Sequence, residues 1–452
     1  MLTLGLMVAI PAFFVARDKE KLLLAMLIFF LPLNPMYRLI KPPLLAETQI
    51  YLQGAFTLKI YFTDIVLGLL FVIFVINRSL KQFNRCHFIP RTKLMVPFCL
   101  WLGIAVLSVL PAAVPKLTIF ELVAMGRMFL TFVIVFHYIK STKDVHFIIK
   151  CFIITIIFQS VLMFAQFSTG SLLINTTSMP HIPDVTGDGI FRPTGGMDHS
   201  SHFAKWYGLL FCISLSFGLF TRNVHEKILG VSAWFFGAVA LVMTVSRIGL
   251  GAWMISIIVF MVLLNRHRMV SSKNITISFA LIFVCIIVSG LAAGSNLQQR
   301  LEERGSALSR IPMAQVAIKV IKSNPLLGVG LGNYGFIYPN YEYTIEQRLG
   351  GWRPALVHNL FLAYAAEIGI FGFIFFLWFL FSLMNNAVNC AKYTSNFLSK
   401  SIYLAIYVGV INIFIQSFTG MGFRMHPVHM STLAILAACV AKGTKIFSHQ
   451  KL

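Results

Sequence analysis

Charge is what this chain has least of. Only 12% of its 452 residues are Asp, Glu, Lys or Arg, and 58% are hydrophobic, whereas an average globular chain carries roughly 25% charged residues. With a mean hydropathy of +0.82, no soluble fold of this length could bury the apolar side chains it would have to hide. Acidic residues are the scarcest, 15 against 37 basic ones, which leaves a net charge of +22. That excess does not indicate nucleic-acid binding, because Lys and Arg gather in short segments between apolar runs, as the positive-inside bias requires. The seven cysteines fall in or beside apolar runs and form no CxxC pair, which excludes a disulfide framework. There is no HExxH or comparable ligand spacing, no internal repeat, and no series of short alternating segments of the kind a β-barrel needs. The first run, Leu2 to Ala16, lacks a basic leader and a small-residue cleavage site, and is read as a span.

Apolar runs close to the ~20 residues that cross a bilayer recur along the chain. Expected spans are 2–16, 22–39, 60–77, 94–114, 117–138, 145–168, 203–220, 228–246, 248–264, 275–293, 359–384, 399–419 and 428–441. The expected fold is an all-α polytopic membrane protein of about 12–13 transmembrane helices. It divides into spans over 1–293, a large polar loop over 294–357, and spans over 358–452. Basic clusters occupy every second junction, from Arg17/Lys19/Lys21 to Lys442/Lys445, and so assign one face to the cytoplasm. The remaining junctions share the outer face: 40–59, 111–116, 170–202, the break at Ser246-Arg247, the large loop and 420–427. Within the loop, Ser309 to Lys322 has the apolar spacing of an interfacial helix that Asn324-Pro325 ends. GVGLGNYG (Gly328 to Gly335) reads as a flexible turn, and since no soluble strand precedes it, it is not a nucleotide-binding loop.

Four outer-face arginines stand out: Arg192 in FRPTGG, Arg247 in TVSRIG, Arg353 in GGWRPALVHN and Arg424 in GMGFRMHP. Positive charge is disfavoured in short outer loops. A guanidinium fork suits phosphate, and several converging would hold a pyrophosphate and stabilise it as it leaves; lipid-headgroup contact or a loop salt bridge is the alternative for each. His358, at the head of a span, has the chemistry of a general base near neutral pH. Glu367, nine residues on and about 180° round the helix, should not orient it. Glu121 and Arg127 lie inside a span, where charges face protein or a water-filled cavity. They sit about 240° apart on the helix and should not pair, and Arg127 either lines the cavity or serves packing. Tyr334, Tyr338, Tyr341, Tyr343 and Trp352 offer either platforms for sugar rings or interfacial anchors. A zinc site drawn from His199, His202, His426 and His429 lacks a supporting spacing.

SNPLLGVGLGNYGFIYPNY followed by HNLFLAYAAEIGIFGF resembles the hallmark of the O-antigen ligase and polysaccharide polymerase superfamily of bacterial membrane glycosyltransferases. FRPTGGMDHSSHFAKWYGLL is similar to that family's Arg-plus-glycine outer loop, and TVSRIGLGAW to its Ser-Arg-Gly span break; the likeness runs from about 190 to 372. It implies a GT-C type fold in the inner membrane, with the large loop roofing a periplasmic cavity. It also implies an inverting, metal-independent transfer without cofactor, from a glycan on undecaprenyl pyrophosphate to lipid A–core or a growing polysaccharide. By resemblance His358 activates the acceptor hydroxyl and Arg192 and Arg247 hold the donor pyrophosphate. Where the family often has Asn after that first arginine, this chain has Asp198-His199-Ser200-Ser201. Ligation is favoured over polymerisation. A flippase or transporter using Glu121 and Arg127 is the rival of another class, and neither an inverted repeat nor the large loop speaks for it.

Overall fold

The computed structural model describes residues 18–33, 36–40, 58–80, 88–173, 191–270, 310–338, 341 and 357–448. The expected spans 2–16 and 275–293, and most of the junctions 40–59 and 170–202, lie outside them, as do Arg353 and Trp352. Among the described residues the chain is helical but for one two-stranded ribbon.

Helix α1 (Lys19–Phe30) starts at Asp18, whose carboxylate accepts from the Lys21 amide at 3.0 Å. Strands β1 (Met36–Ile40) and β2 (Leu58–Tyr61) pair antiparallel, with an irregularity between Arg38 and Ile40. Spanning helices follow: α2 (Phe62–Leu80), the shorter α3 (Met95–Leu107), α4 (Pro115–Tyr138), α5 (Thr142–Thr169), α6 (Ser200–Phe220), α7 (Val224–Met243) and α8 (Arg247–Arg266). After α9 (Arg310–Ser323) and the single turn α10 (Tyr334–Ile337) come α11 (Leu360–Tyr393), α12 (Phe397–Ser417), the short α13 (Gly422–Met425) and α14 (Pro427–Ser448). Nine of these helices are long and apolar enough to cross a membrane. The fold is an all-α polytopic membrane protein. The sequence expectation of a span over 22–39 is corrected here: the helix stops at Phe30, and the ribbon begins at Met36. Pro32, two residues past the helix end, has no amide hydrogen with which to continue the helical ladder.

Polar caps set the helix starts. Ser141 and Asp144 form a capping box on α5, Asn223 accepts from the amides of His225 and Glu226 on α7, and Asn396 caps α12. The most enclosed spans are α6 and α14. Helix α6 packs on α7 and α12, and α14 on α4 and α11. Small residues along α14 (Ala434, Ala437, Ala438, Ala441), all buried, let neighbouring helices approach closely, which is how spans associate in lipid.

Two sharp changes of chain direction bear on the site end, a turn between two spans and a kink within one. Between α7 and α8 the chain turns at Thr244-Val245-Ser246, with Val245 at φ 51, a left-handed conformation that costs a β-branched residue about 1–2 kcal/mol. The Ser246 side chain restarts the helix by accepting from the Gly249 amide at 3.3 Å. The kink is in α11 at Gly369 (φ 68, ψ −176). Backbone groups opened inside a membrane must find partners within the protein, and the glycine-rich segment after α9 supplies them. The Val329 amide donates to the Ala366 carbonyl at 3.0 Å, Gly330 to the Glu367 carbonyl at 2.9 Å, and Ile370 to the Pro325 carbonyl at 2.9 Å. A side chain on Gly328 or Gly369 would strike the opposing backbone. Residues 328–333 are therefore a buried plug rather than the flexible turn the sequence suggested. Its far end is pinned as well: Asn333 accepts from the Val114 amide at 2.8 Å and donates to the Thr118 hydroxyl at 3.0 Å.

Gly369→Ala should therefore lower the unfolding midpoint of the detergent-solubilised protein by several degrees, since it adds strain of about 1–2 kcal/mol from positive φ to a collision with the Leu326 carbonyl. Gly68→Ala, at a helical glycine with no neighbour within 4 Å, should leave the midpoint unchanged.

Candidate active site

Helix direction alternates along the chain, so the starts of α6, α8, α11 and α14 and the end of α7 meet at one end of the bundle, opposite the basic clusters. At this end Arg192 lies against the turn from which Arg247 starts α8. Arg192 is buried, and its Nε donates to the Thr244 carbonyl at 2.8 Å. It thereby closes the last carbonyl before the break and holds the turn from which Arg247 starts α8. Arg247 faces Arg310 at the head of α9, whose pKa is lowered by burial and then by the Arg247 charge. Lys205, in the second turn of α6, lies within electrostatic reach of both Arg192 and Arg310, and its ammonium rests against the Gly422 backbone.

His358 closes this ring of charge. Asn359 caps α11, its side-chain oxygen accepting from the amides of Phe361 and Leu362 at 2.9 and 3.1 Å. The cap fixes the entry of the chain and leaves His358 immediately outside the helix at the mouth of the basin. His358 is exposed to solvent on one side, but the protein packed around the ring, and then the charges of Arg310, Lys205 and His199, lower its pKa. Its imidazole is neutral at pH 7 as a result, the form that can take a proton.

Lys205 and Arg310 were not singled out in the sequence. Lys205 had a legible signal, a charge placed a few residues inside a span. Arg310 had only its position at the start of the amphipathic helix, because what gives it meaning is proximity to Arg247 and His358, which lie far off in the chain.

The Arg424 guanidinium binds the Glu367 carboxylate, donates from Nε to Glu121 at 3.2 Å, and lies 5.7 Å from the centre of the Tyr364 ring. Glu367 also accepts from the Gly332 amide at 2.9 Å, so the triad ties α4, α11, α13 and the plug together. Two carboxylates hold Arg424 in ion pairs, the salt-bridge alternative open for each of these arginines. Glu367 stays away from His358 as anticipated. Glu121 and Arg127 do not pair, also as anticipated: Arg127 binds Asp64 and stacks over the Tyr61 ring at 4.8 Å. It anchors the ribbon and the start of α2 to α4. Tyr338 is buried and stacks on Tyr334 at 5.8 Å, while the Tyr341 hydroxyl accepts from Asn324 at 3.3 Å. Both tyrosines shape the loop instead of presenting a ring to the basin.

Beside Lys205 is a second polar group. His202 contacts His429 ring-to-ring at 3.1 Å, and Asp198 lies 3.6 Å from His202 and 3.7 Å from His426. Burial raises the Asp198 pKa, but the two imidazoles and Lys59 outweigh it and hold the carboxyl below its usual range. Among the described residues no group of three or more His, Cys, Asp or Glu is disposed to hold a metal ion.

In comparison with models of known families, residues 232–377 match O-antigen ligase. The matched stretch runs from α7 through the turn, α8, α9, the plug and the first half of α11, and so contains Arg247, Arg310 and His358. Arg192, Lys205 and Arg424 lie outside the matched stretch and meet it through space. No curated protein matches the chain.

Breaking the triad separates structure from chemistry. Arg424→Ala leaves Glu367, whose side chain is 5% exposed, as a buried charge without its partner, a loss of about 3–5 kcal/mol. It should show as a sharply lower unfolding midpoint or failed membrane insertion. Glu121→Gln, at the more exposed carboxylate (25%), should cost far less in the same measurement.

Proposed function

We propose that this protein is a membrane glycosyltransferase that moves a preassembled glycan from undecaprenyl pyrophosphate to lipid A–core on the periplasmic side of the bacterial inner membrane. What supports the reading is that Arg192 holds the turn before Arg247 and that Arg310, from a separate stretch, lies within electrostatic reach of Arg247, Lys205 and a neutral His358. Like charges repel in a site of low dielectric, and an anion bearing several negative charges relieves that repulsion. A lipid-linked pyrophosphate fits, since it enters from the bilayer and needs no soluble nucleotide-binding domain.

In this mechanism Arg247, Arg310 and Lys205 neutralise the pyrophosphate and so improve it as a leaving group. Arg192 positions Arg247 by clamping the break. His358 accepts the proton of the acceptor hydroxyl as that oxygen attacks the anomeric carbon and the bond to the phosphate oxygen breaks. Attack opposite the departing pyrophosphate inverts the anomeric centre.

In an assay with purified protein and lipid-linked donor, His358→Ala should lower the transfer rate about 10²–10⁴-fold, the contribution of a general base, with folding intact. Arg247→Gln should lower it about 10²–10³-fold, as for loss of one transition-state charge contact. Unchanged transfer by His358→Ala would remove it from the mechanism.

The pH profile follows from the lowered His358 pKa. Its neutral form persists below the ordinary 6.5, so the rate at saturating donor should stay level from pH 8 to about 6.5 and fall only as the pH drops through the depressed value. Arg310→Gln, which removes a cation from beside the ring, should move that acid limb upward. An acid limb above pH 7 in the native enzyme would contradict the assignment.

A further inference from the structure

A second cationic pocket lies at the opposite end of the bundle, and the transfer chemistry does not use it. It has a volume of about 290 Å³ and is formed where α2, α4 and α14 end and α1 begins, at the lower limit of the roughly 300–1,000 Å³ typical of small-molecule sites. Arg78, Lys140 and Lys442 line it against the single carboxylate of Glu20, with His137 also in the wall. Glu20 is engaged, accepting from the Asn77 side chain at 2.6 Å. Leu70, Phe74 and Ile134 form the apolar part of the lining, on the side of the membrane interior.

Basic residues at helix ends also complement the helix dipole. That role requires no cavity, and here the helix ends enclose one. His137 is turned the other way, its Nε2 donating to the Phe88 carbonyl at 3.0 Å, so the charge in the wall comes chiefly from the three cations.

We propose that this pocket binds a phosphate-bearing anion at the membrane surface, the phosphodiester of an anionic phospholipid, with its acyl chain along Leu70, Phe74 and Ile134. Three cations give the charge, and the apolar wall of Leu70, Phe74 and Ile134 continues into the bilayer. Basic pockets between spans at the positively biased face recognise lipid headgroups by this chemistry.

The test is retention of lipid by the purified full-length protein, measured by native mass spectrometry with phosphatidylglycerol, phosphatidylcholine or inorganic phosphate. The native protein should retain phosphatidylglycerol at least about five-fold more than phosphatidylcholine. Arg78→Gln with Lys442→Gln should remove that preference, whereas Lys392→Gln, at an exposed inner-end lysine away from the pocket, should keep it. Displacement of the lipid by millimolar phosphate would show that the phosphate alone is recognised; failure to displace it would assign the site to the whole lipid. Should the double variant not fold, the native protein decides: phosphatidylglycerol should raise its unfolding midpoint and phosphatidylcholine should not. Equal retention of the two lipids, or a folded double variant with native preference, overturns the proposal.

Discussion

Inside a bilayer every backbone donor and acceptor must be met by the protein itself, and this chain joins two of its spans by a tight turn and kinks a third. The way the turn and the kink are closed organises everything at the site end. At Thr244-Val245-Ser246 the closing group is a side chain, the Arg192 guanidinium on the Thr244 carbonyl. At Gly369 it is a stretch of main chain, the segment from Pro325 to Gly330 hydrogen-bonded across the kink. The first closure aims Arg247. The second draws α9, and with it Arg310, beside the head of α11 where His358 stands. The repairs that make the turn and the kink tolerable in lipid are therefore the same contacts that assemble the basin.

Charge is used in two distinct ways within this end of the molecule. Arg424 and Arg127 are met by carboxylates, Glu367 with Glu121 in one case and Asp64 in the other, and each joins elements far apart in sequence. Arg310 lies within electrostatic reach of both Arg247 and Lys205, and Arg310 and Lys205 act on His358 as a depressing field. The first arrangement stabilises the fold, since a buried cation without a partner is costly. The second gathers positive charge that a polyanionic ligand would complement.

Much of this was legible in the sequence and some was not, for physical reasons. Span positions follow from the apolar runs and the alternation of basic clusters, which are local properties. The break before Arg247 and the position of His358 beside a helix-capping asparagine are local too. Pro32 was on the page as a reason for the 22–39 run to stop early, but hydropathy alone concealed it. The glycine-rich stretch read as flexible because glycine permits flexibility; it is ordered because its backbone pairs with Ala366 and Glu367, thirty-odd residues away. The same kind of distance hid the carboxylates that neutralise Arg424, and the company that Lys205 and Arg310 keep. Tyr338 resembled a sugar platform until burial against Tyr334 assigned it to packing.

The central claim is that one polyphosphate group sits among Lys205, Arg247 and Arg310 with His358 at its edge. An experimental structure of the protein with a bound prenyl pyrophosphate tests it most directly. The account predicts diphosphate density contacting Arg247 and Arg310, on the far side of the Arg192–Thr244 contact, with the prenyl chain leading into the bilayer. Diphosphate bound elsewhere on the protein, with this basin empty, would contradict it.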